Sequence, residues 1–236
     1  MIPSGPDSRS EEKDGAMRIS LGLGLALLVA VLIVPAPATA ASPQEAIEAY
    51  VGDVLQVFQK YSDANLEESA DQRKNFRQDL SSVAREVFAY RIMVRMSLGK
   101  YWGDFTEKQQ QEMVQLFVRV IEDNYFGKLV EYMGQVESFS RDMIQITDEI
   151  VYSSRKAEVR SVIHYNNNKI PVNYRMLSRQ EQGWQVYDIH VEDVSLIRNY
   201  RSQFQDLLNR KSPEEVVATM QRKVEKDETP DLLDSE

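Results

Sequence analysis

Asp188, His190 and Ser195 lie close together in the sequence and are of the three residue types that form a nucleophilic catalytic triad. Their spacing argues against a triad. Asp188 and His190 are two positions apart in a segment that alternates like a β-strand, so their side chains point in parallel, whereas a triad needs the acid behind the imidazole and the serine in front of it. The sequence also lacks a G-x-S-x-G nucleophile elbow. We predict that the protein is not an enzyme; an acid–base pair of Asp188 and His190 is the catalytic alternative.

Residues that could hold a metal ion or a cofactor are sparse. His190 is followed by Glu192 and Asp193, but neighbours on one strand rarely supply a complete ligand set, and the second histidine, His164, lies on a different predicted strand. The chain has no cysteine, which excludes disulfides and thiolate ligands. Neither a G-x-G-x-x-G nor a P-loop motif occurs. We expect no metal site and no cofactor.

Methionine and aromatic residues are frequent between residues 88 and 133, and they are the remaining candidates for a functional feature. Such side chains fill irregular protein cores, and they also line adaptable apolar cavities. The residue types alone do not distinguish a filled core from a cavity. The residues themselves therefore indicate an α+β domain with a large apolar interior.

Capping signals mark where the predicted helices begin. Residues 42–45 (SPQE), 106–109 (TEKQ) and 212–215 (SPEE) each combine an N-cap serine or threonine with Glu or Gln three residues later. Apolar residues recur at helical spacing after each of these boxes, and again from Phe76 onward. Gly99 is expected to end the helix that precedes it.

The apolar residues change to a period of two in the second half of the chain, which is typical of strands. Turn signals at 166–168 (NNN) and 182–183 (QG) separate the alternating segments. Short strands joined by tight turns favour an antiparallel meander, so we predict an α+β fold with helices packed on a twisted antiparallel four-stranded sheet. The four predicted strands cover residues 142–152, 156–165, 172–176 and 184–192.

The N-terminal residues determine the expected compartment. Residues 19–34 are uncharged and mostly apolar, Arg18 precedes them, and Ala38-Thr39-Ala40 follows as an A-x-A cleavage site. The apolar run is shorter than the ~20 residues that a membrane-spanning helix needs. We predict a signal peptide that is cleaved after Ala40, with an uncleaved membrane anchor as the alternative.

Three parts make up the predicted organisation of the chain. Residues 1–40 hold an N-terminal extension and the signal peptide, residues 41–225 form a single domain long enough for a sizeable core, and the acidic residues 226–236 are expected to be disordered. The polar residues 1–16 fit neither a signal peptide nor an anchor, and Met17 is an alternative start.

The chain carries a formal net charge of −9. Because nucleic-acid phosphates repel an acidic domain, the charge excludes nucleic acid as an expected partner. Anionic lipid surfaces should repel the domain for the same reason.

Two stretches carry a resemblance to a known family. One is residues 99–102 (GKYW), and the other runs from residues 184–188 (WQVYD) through 194–196 (VSL) to 199–204 (NYRSQF). Together they resemble the MlaC family of periplasmic phospholipid-transport proteins, also described as toluene-tolerance auxiliary proteins. The order of the predicted elements agrees with the family from about residue 43 to 224.

The sequence departs from the family pattern at three places. Asp193 stands where the family commonly has glycine, Asn173 stands where aspartate is usual, and residues 138–152 look longer than is typical. Glycine at position 193 would allow a positive φ, which aspartate adopts less readily, so the geometry of the strand-to-helix corner is open at this point.

The resemblance implies a fold like the NTF2-like fold, with a deep pocket for acyl chains between the helices and the sheet. It implies a periplasmic phospholipid carrier that maintains outer-membrane lipid asymmetry. The implied partners are phospholipid, an inner-membrane ABC transporter with a lipid-binding ring, and an outer-membrane lipoprotein–porin complex. A non-catalytic interaction module with a filled core is the alternative.

We predict that apolar side chains of the sheet and of the helices above it line this pocket. On the fourth strand, Trp184 and Val186 alternate with Tyr187, Ile189 and Val191, and we assign the second set to the pocket. The predicted lipid-binding residues are Met93, Met96, Leu98, Trp102, Phe117, Val120, Leu129, Val159, Ile163, Val172, Tyr174, Met176, Tyr187, Ile189 and Val191.

Overall fold

The computed structural model describes most of the chain after residue 40. The described residues are 41–64, 66, 68–135, 140–165, 167–179 and 182–225, without the side chains at 126–135 and 165. The predicted signal peptide and the predicted acidic tail lie outside these residues. The chain divides into the units Met1–Ala40 and Ala41–Glu236, and the second unit is the one described below.

Six α-helices occur in the described residues, and capping explains where several of them begin. The predicted capping box at Ser42 is confirmed, because its hydroxyl accepts from the Glu45 amide at 3.1 Å and the Glu45 carboxylate accepts from the Ser42 amide at 2.7 Å. Reciprocal bonds of this kind also open the fourth and sixth helices. The helices are α1 (Pro43–Lys60), α2 (Ala70–Val87), α3 (Tyr90–Leu98), α4 (Glu107–Gln135), α5 (Leu196–Leu208) and α6 (Pro213–Glu225).

Gly99 ends α3, as predicted, with a φ of 56° that favours glycine. A 3₁₀ helix follows over Gly99–Asp104, and a second one covers Arg141–Met143 before the sheet. None of the helices in the described part of the chain is long and apolar enough to span a bilayer.

The strands form one antiparallel meander in the order β1-β2-β3-β4-β5. The prediction of four strands is wrong, because residues 194–195 add a fifth that pairs with the end of β4. This strand is only two residues long and leads directly into α5, so it has no alternating pattern to reveal it. The strands are β1 (Ile144–Ser153), β2 (Lys156–Tyr165), β3 (Asn168–Arg179), β4 (Gly183–Val191) and β5 (Val194–Ser195).

Irregularities in β1 and β4 change which side chains share a face. In β4 the register shifts opposite residues 175–176 of β3, so that Val186 pairs with Met176 while Asp188 pairs with Arg175. The extra residue in β4 is Tyr187. A second shift lies between Ile146 and Asp148 in β1.

Helices α1 and α2 cover one face of the sheet. The fully buried side chains between them and the sheet form the sheet core, and half-buried side chains of Tyr50, Val51, Tyr174 and Ile189 pack against it. Burial of this apolar surface, at about 25 cal/mol per Å², is what holds the helices on the sheet. The sheet core consists of Ala46, Ile47, Val87, Val159, Met176 and Val186.

Helices α3 to α6 build a second, all-helical core. Phe117 of α4 meets Tyr200 of α5 edge-on with ring centroids 4.9 Å apart, and Met220 and Val216 of α6 are completely buried. The helical core consists of Tyr90, Met93, Val94, Leu98, Phe105, Met113, Phe117, Val118, Val120, Ile121, Ile197, Tyr200, Phe204, Leu207, Val216, Val217 and Met220. A smaller apolar cluster around Phe76 lies between α1 and α2.

The segment between α2 and α3 joins the helices to the sheet. The Ala89 amide donates to the Val186 carbonyl at 2.9 Å, and Phe88 forms a parallel bridge with Val186. The Gln185 side chain donates to the Glu86 carbonyl at 2.9 Å. Strand β4 is therefore bonded to β3 on one side and to this segment and β5 on the other, so its edge is covered.

Candidate functional site

Four of the predicted strand residues, Val159, Tyr174, Met176 and Ile189, lie on one face of the sheet. Val186, which strict alternation assigns to the opposite face, joins them, and we call this surface of five residues the apolar sheet face. Its members are neighbours across the strands: Val159 pairs with Tyr174, and Tyr174 pairs with Ile189. Met176 pairs with Val186 in the same way. Because paired residues on adjacent strands point to the same side, these side chains form one continuous apolar surface.

Burial of this face changes along the strands. Val159, Met176 and Val186 are completely buried beneath α1 and α2, whereas Tyr174 and Ile189 are half-buried. Burial raises the pKa of the Tyr174 hydroxyl above its usual value. The hydroxyl is therefore neutral at physiological pH and adds no charge to the face.

Beyond Tyr174 the same face continues towards the end of the sheet. Val172 is buried, Ile163 is half-buried, and Val191, which pairs with Val172, is 44% exposed. Ile144 pairs with Ile163 and extends the face on β1. This end is thus an apolar surface that the described helices cover only in part, which is the kind of surface that can accept acyl chains.

Tyr187 does not share this face. Strict alternation predicts that it lies with Ile189 and Val191, and that prediction is wrong because of the bulge in β4. The bulge puts Val186 and Ile189 on the same face, although they are three positions apart. Tyr187 instead interacts electrostatically with Arg175, and burial raises the pKa of its hydroxyl.

The predicted helix residues lie in the helical core. Met93, Leu98 and Phe117 are completely buried there by neighbours from α5 and α6, and Val120 is 8% exposed. Met96 and Trp102 are half-buried and pack against the same core. The side chain of Leu129 lies outside the described residues. The structure therefore places most of the predicted pocket residues in two separate groups, one on the apolar side of the sheet and one in the helical core.

Sequence reasoning missed the residues of α1 that pack on the apolar sheet face. Ile47 belongs to the sheet core, and Tyr50 and Val51 are half-buried against it. The Tyr50 hydroxyl also donates to the carbonyl of Trp184 in β4, which fixes the helix on the sheet. Their helical spacing after the first capping box was the available signal, because it marks the apolar side of an amphipathic helix.

A groove with a volume of about 400 Å³ lies between α1 and α2. Five of its seven lining residues are charged or polar, although apolar atoms supply the larger part of the lining surface. The groove is lined by Asp53, Gln56, Val57, Lys60, Ser82, Val83 and Glu86.

Asp188, His190 and Ser195 do come together, but in the wrong order for a triad. The buried Asp188 carboxylate lies in the middle: its Oδ2 accepts from the Ser195 hydroxyl at 2.7 Å and lies 3.0 Å from Nε2 of His190. Its Oδ1 accepts from the Ile197 amide at 3.1 Å. A triad would place the histidine between the acid and the serine.

The hydroxyl of Ser195 makes two hydrogen bonds in this arrangement. It donates to Asp188 and accepts from the Arg198 amide at 3.0 Å, so Ser195 is the N-cap of α5. Asp188 also pairs with Arg175 across the strands, which places it on the sheet face opposite Ile189. These three residues form the corner between β4 and α5, on the sheet face opposite the apolar sheet face.

The turn between β4 and β5 is strained. Glu192 has a φ of 49° and Asp193 a φ of 65°, both in the left-handed region. The corner at Asp193, which the family resemblance left open, therefore has the backbone geometry that glycine would allow. Within the described residues, no group of three or more His, Cys, Asp or Glu side chains could hold a metal ion.

Comparison with known proteins gives three findings. The chain resembles the crystal structure of a phospholipid-binding protein from Ralstonia solanacearum in complex with a phospholipid, with a TM-score of 0.64 and 20% identity, over 80% of this chain and 100% of that one. At this identity the likeness shows the fold. A search of curated proteins gives no match. The model of the MlaC protein family matches residues 53–222, most of the chain, and the protein therefore belongs to the MlaC family.

Proposed function

We propose that this protein binds a phospholipid by its acyl chains and carries it between membranes. The observation that supports this most is the apolar sheet face, which continues past the cover of α1 and α2 to half-buried Ile163 and exposed Val191. Family membership and the phospholipid-bound structure from Ralstonia solanacearum support the same function.

The energetics of lipid transfer explain why a carrier needs such a surface. Moving acyl chains from a bilayer into water costs ~0.8 kcal/mol per CH₂ group. A two-chain phospholipid has on the order of thirty of these groups, so free transfer would cost more than ~20 kcal/mol. The carrier must therefore enclose the chains, while the headgroup can stay in water and needs few contacts.

The proposed lining starts from the sheet. Five of the predicted residues lie at its less covered end, namely Ile163, Val172, Tyr174, Ile189 and Val191. Val159 and Met176 complete the set at the end that α1 and α2 bury. The predicted helix residues take part if α3 and α4 move away from α5 and α6, since Met93 and Leu98 of α3 and Phe117 of α4 are buried in the core that these four helices form. Met96, Trp102, Val120 and Leu129 belong to the same proposed set.

We place the carrier in the periplasm, after export by the signal peptide predicted in residues 1–40. Its proposed partners are the inner-membrane ABC transporter with a lipid-binding ring and the outer-membrane lipoprotein–porin complex that the family resemblance implies. Its proposed role is to shuttle phospholipid so that outer-membrane lipid asymmetry is maintained. The net charge of −9 supports loading from protein partners, because an anionic bilayer repels an acidic carrier.

A two-step transfer experiment tests carriage. Because uncharged membranes do not repel an acidic carrier, delipidated protein is incubated with phosphatidylcholine vesicles that contain radiolabelled phosphatidylethanolamine. The vesicles are pelleted, and the supernatant is then given unlabelled phosphatidylcholine acceptor vesicles. We expect label in the supernatant in proportion to protein and its later recovery in the acceptor vesicles. Label that stays with the donor vesicles at every protein concentration would overturn the proposal.

A further inference from the structure

The face of the sheet opposite α1 carries a network of charged and aromatic side chains, which we call the polar sheet face (Tyr152, Lys156, Glu158, Arg160 and Arg175). Glu158 and Arg175 are paired across β2 and β3, and Arg160 lies two residues along β2 on the same side. Tyr152 is 59% exposed, and the side chains of Arg160 and Arg175 are 44% and 41% exposed. Solvent therefore reaches this face.

Glu158 sits beneath the two arginines. Its carboxylate accepts from Nε of Arg160 at 2.8 Å and from the Tyr152 hydroxyl at 3.2 Å, and it lies 3.6 Å from Nε of Arg175. The Glu158 side chain is only 7% exposed, far less than either arginine. The acid is thus hidden while the guanidinium groups face outward.

The outward charge of this face is opposite to that of the whole chain. Lys156 is exposed beside the two arginines, and one exposed acid, Asp148, lies 3.7 Å from Arg160. Two other acids on this face are buried: Glu158, and Asp188, which pairs with Arg175 across the strands. The chain as a whole has a net charge of −9. An excess of exposed positive charge on an acidic protein is an electrostatic footprint for an acidic partner.

We propose that the polar sheet face binds an acidic surface of a partner protein. Arginine and tyrosine are among the residue types most enriched at protein–protein hot spots. This face presents two arginines, Arg160 and Arg175, and the tyrosine Tyr152, and a second tyrosine, Tyr187, interacts with Arg175. Glu158 holds Arg160 in place before binding, so less side-chain freedom is lost on docking. The two terminal Nη groups of each guanidinium can donate to both oxygens of a carboxylate.

An anionic membrane fits this face less well. An anionic bilayer presents its charge over a wide area. It therefore attracts the three basic residues of this face but also repels the acidic remainder of the chain. A protein surface can present carboxylates to this patch alone, and charges more than about 8 Å away are screened at physiological salt. The proposal concerns docking and does not depend on the bound cargo.

The test uses immobilised poly-L-glutamate as the probe and the complete mature protein. Binding is measured by surface plasmon resonance at low salt and at about 0.15 M salt. The test variant is Arg160→Glu with Arg175→Glu. The control variant is Lys108→Glu with Arg198→Glu, which makes the same change in net charge at two exposed residues in the first turns of helices, where acidic residues are favoured.

We expect the wild type and the control to bind, with weaker binding at higher salt, and the test variant to lose roughly tenfold or more in affinity. Removal of both arginines could destabilise the fold by leaving Glu158 buried without its cations. A second variant, Glu158→Gln with Arg160→Gln and Arg175→Gln, removes the cations and the buried charge together. It should melt close to the wild type and still lose binding.

Three outcomes would overturn the proposal. They are absence of wild-type binding to poly-L-glutamate, an equal loss in the control variant, and full binding by the folded glutamine variant. Flotation with phosphatidylglycerol vesicles separates the membrane alternative: wild-type binding that the arginine substitutions abolish would assign this face to lipid headgroups instead of a protein.

Discussion

The hydroxyl of Ser195 donates a hydrogen bond to the buried carboxylate of Asp188 at 2.7 Å, so the last long strand and helix α5 are joined through a single acidic side chain. The same carboxylate accepts from the Ile197 amide, which is otherwise an unsatisfied donor at the helix start. Residues whose types suggest catalysis thus act as the joint between the sheet and the helical core.

Replacing Asp188 should weaken this joint. Asp188→Ala removes a buried acceptor and leaves the donors of Ser195 and Ile197 without a partner, which costs about 1–3 kcal/mol for each buried group. We expect the free energy of unfolding, measured by urea denaturation, to fall by about 2–4 kcal/mol. Asp206→Ala, at an exposed position of α5, should change it by less than about 0.5 kcal/mol.

A result in which Asp188→Ala is as stable as the Asp206 control would show that the carboxylate contributes nothing to the corner. Ser195→Ala should give an intermediate loss of about 1 kcal/mol, the usual value for an N-cap serine.

Replacing Asp193 should have the opposite effect. Its φ of 65° is unfavourable for a residue with a Cβ atom and free for glycine. We expect Asp193→Gly to raise the free energy of unfolding by about 0.5–1 kcal/mol, since the gain in the folded state exceeds the added freedom of the unfolded chain. Asp193→Val should be destabilising. Lower stability of the glycine variant in thermal melts would refute the strain argument.

Two adjacent residues of β2 provide a matched test of the proposed lipid-binding surface. Ile163 lies on the side of the buried Val159, whereas Val162 pairs with Pro171 on the opposite side. Ile163→Trp should fill the space that acyl chains need and reduce co-purifying phospholipid about tenfold, which corresponds to 1.4 kcal/mol. Val162→Trp should leave the lipid content unchanged.

Lipid phosphorus per mole of purified protein measures both variants, and circular dichroism checks their folding. Equal lipid content in folded Ile163→Trp and wild-type protein would place the acyl chains elsewhere.

Glu158 should contribute to the pH dependence of stability. Its burial alone would raise the pKa, but the hydrogen bonds from Arg160 and Tyr152, with the charge of Arg175, outweigh burial and hold the pKa of this carboxyl below its usual value of 4.5. A lowered pKa in the folded state stabilises the protein above about pH 4.5, and this contribution is lost as the pH falls through the lower, folded-state value.

The melting temperature of Glu158→Gln should therefore fall less steeply below pH 4.5 than that of the wild type. Glu214→Gln, at an exposed position of α6, serves as the control and should follow the wild type. Parallel curves of melting temperature against pH for all three proteins would mean that protonation of Glu158 does not affect the stability of the protein.

The sequence contained enough information for most of the helices and for the meander. Capping boxes at residues 42–45, 106–109 and 212–215 are local signals that do not depend on tertiary contacts, so the corresponding helix starts could be predicted. The antiparallel order of the strands followed from the short turns between them. The NTF2-like likeness stays a prediction.

Other features depend on context that a sequence pattern does not carry. The bulge at Tyr187 has no marker in the sequence such as glycine. Because of this extra residue, the side chains that precede it in β4 point to the opposite face from the one that strict alternation predicts. Met93 and Phe117 have the composition of pocket residues, but their neighbours along α5 and α6 decide that they are packed in the helical core. Composition describes what a side chain can contact, and the fold decides what it does contact.

Native mass spectrometry of the purified mature protein, with lipid extraction from the same sample, is the decisive measurement of phospholipid binding. We expect a species heavier than the chain by the mass of about one phospholipid, with matching lipid in the extract. A mass equal to that of the chain alone, unchanged after incubation with phospholipid, would contradict phospholipid binding and favour a protein-interaction module with a filled core.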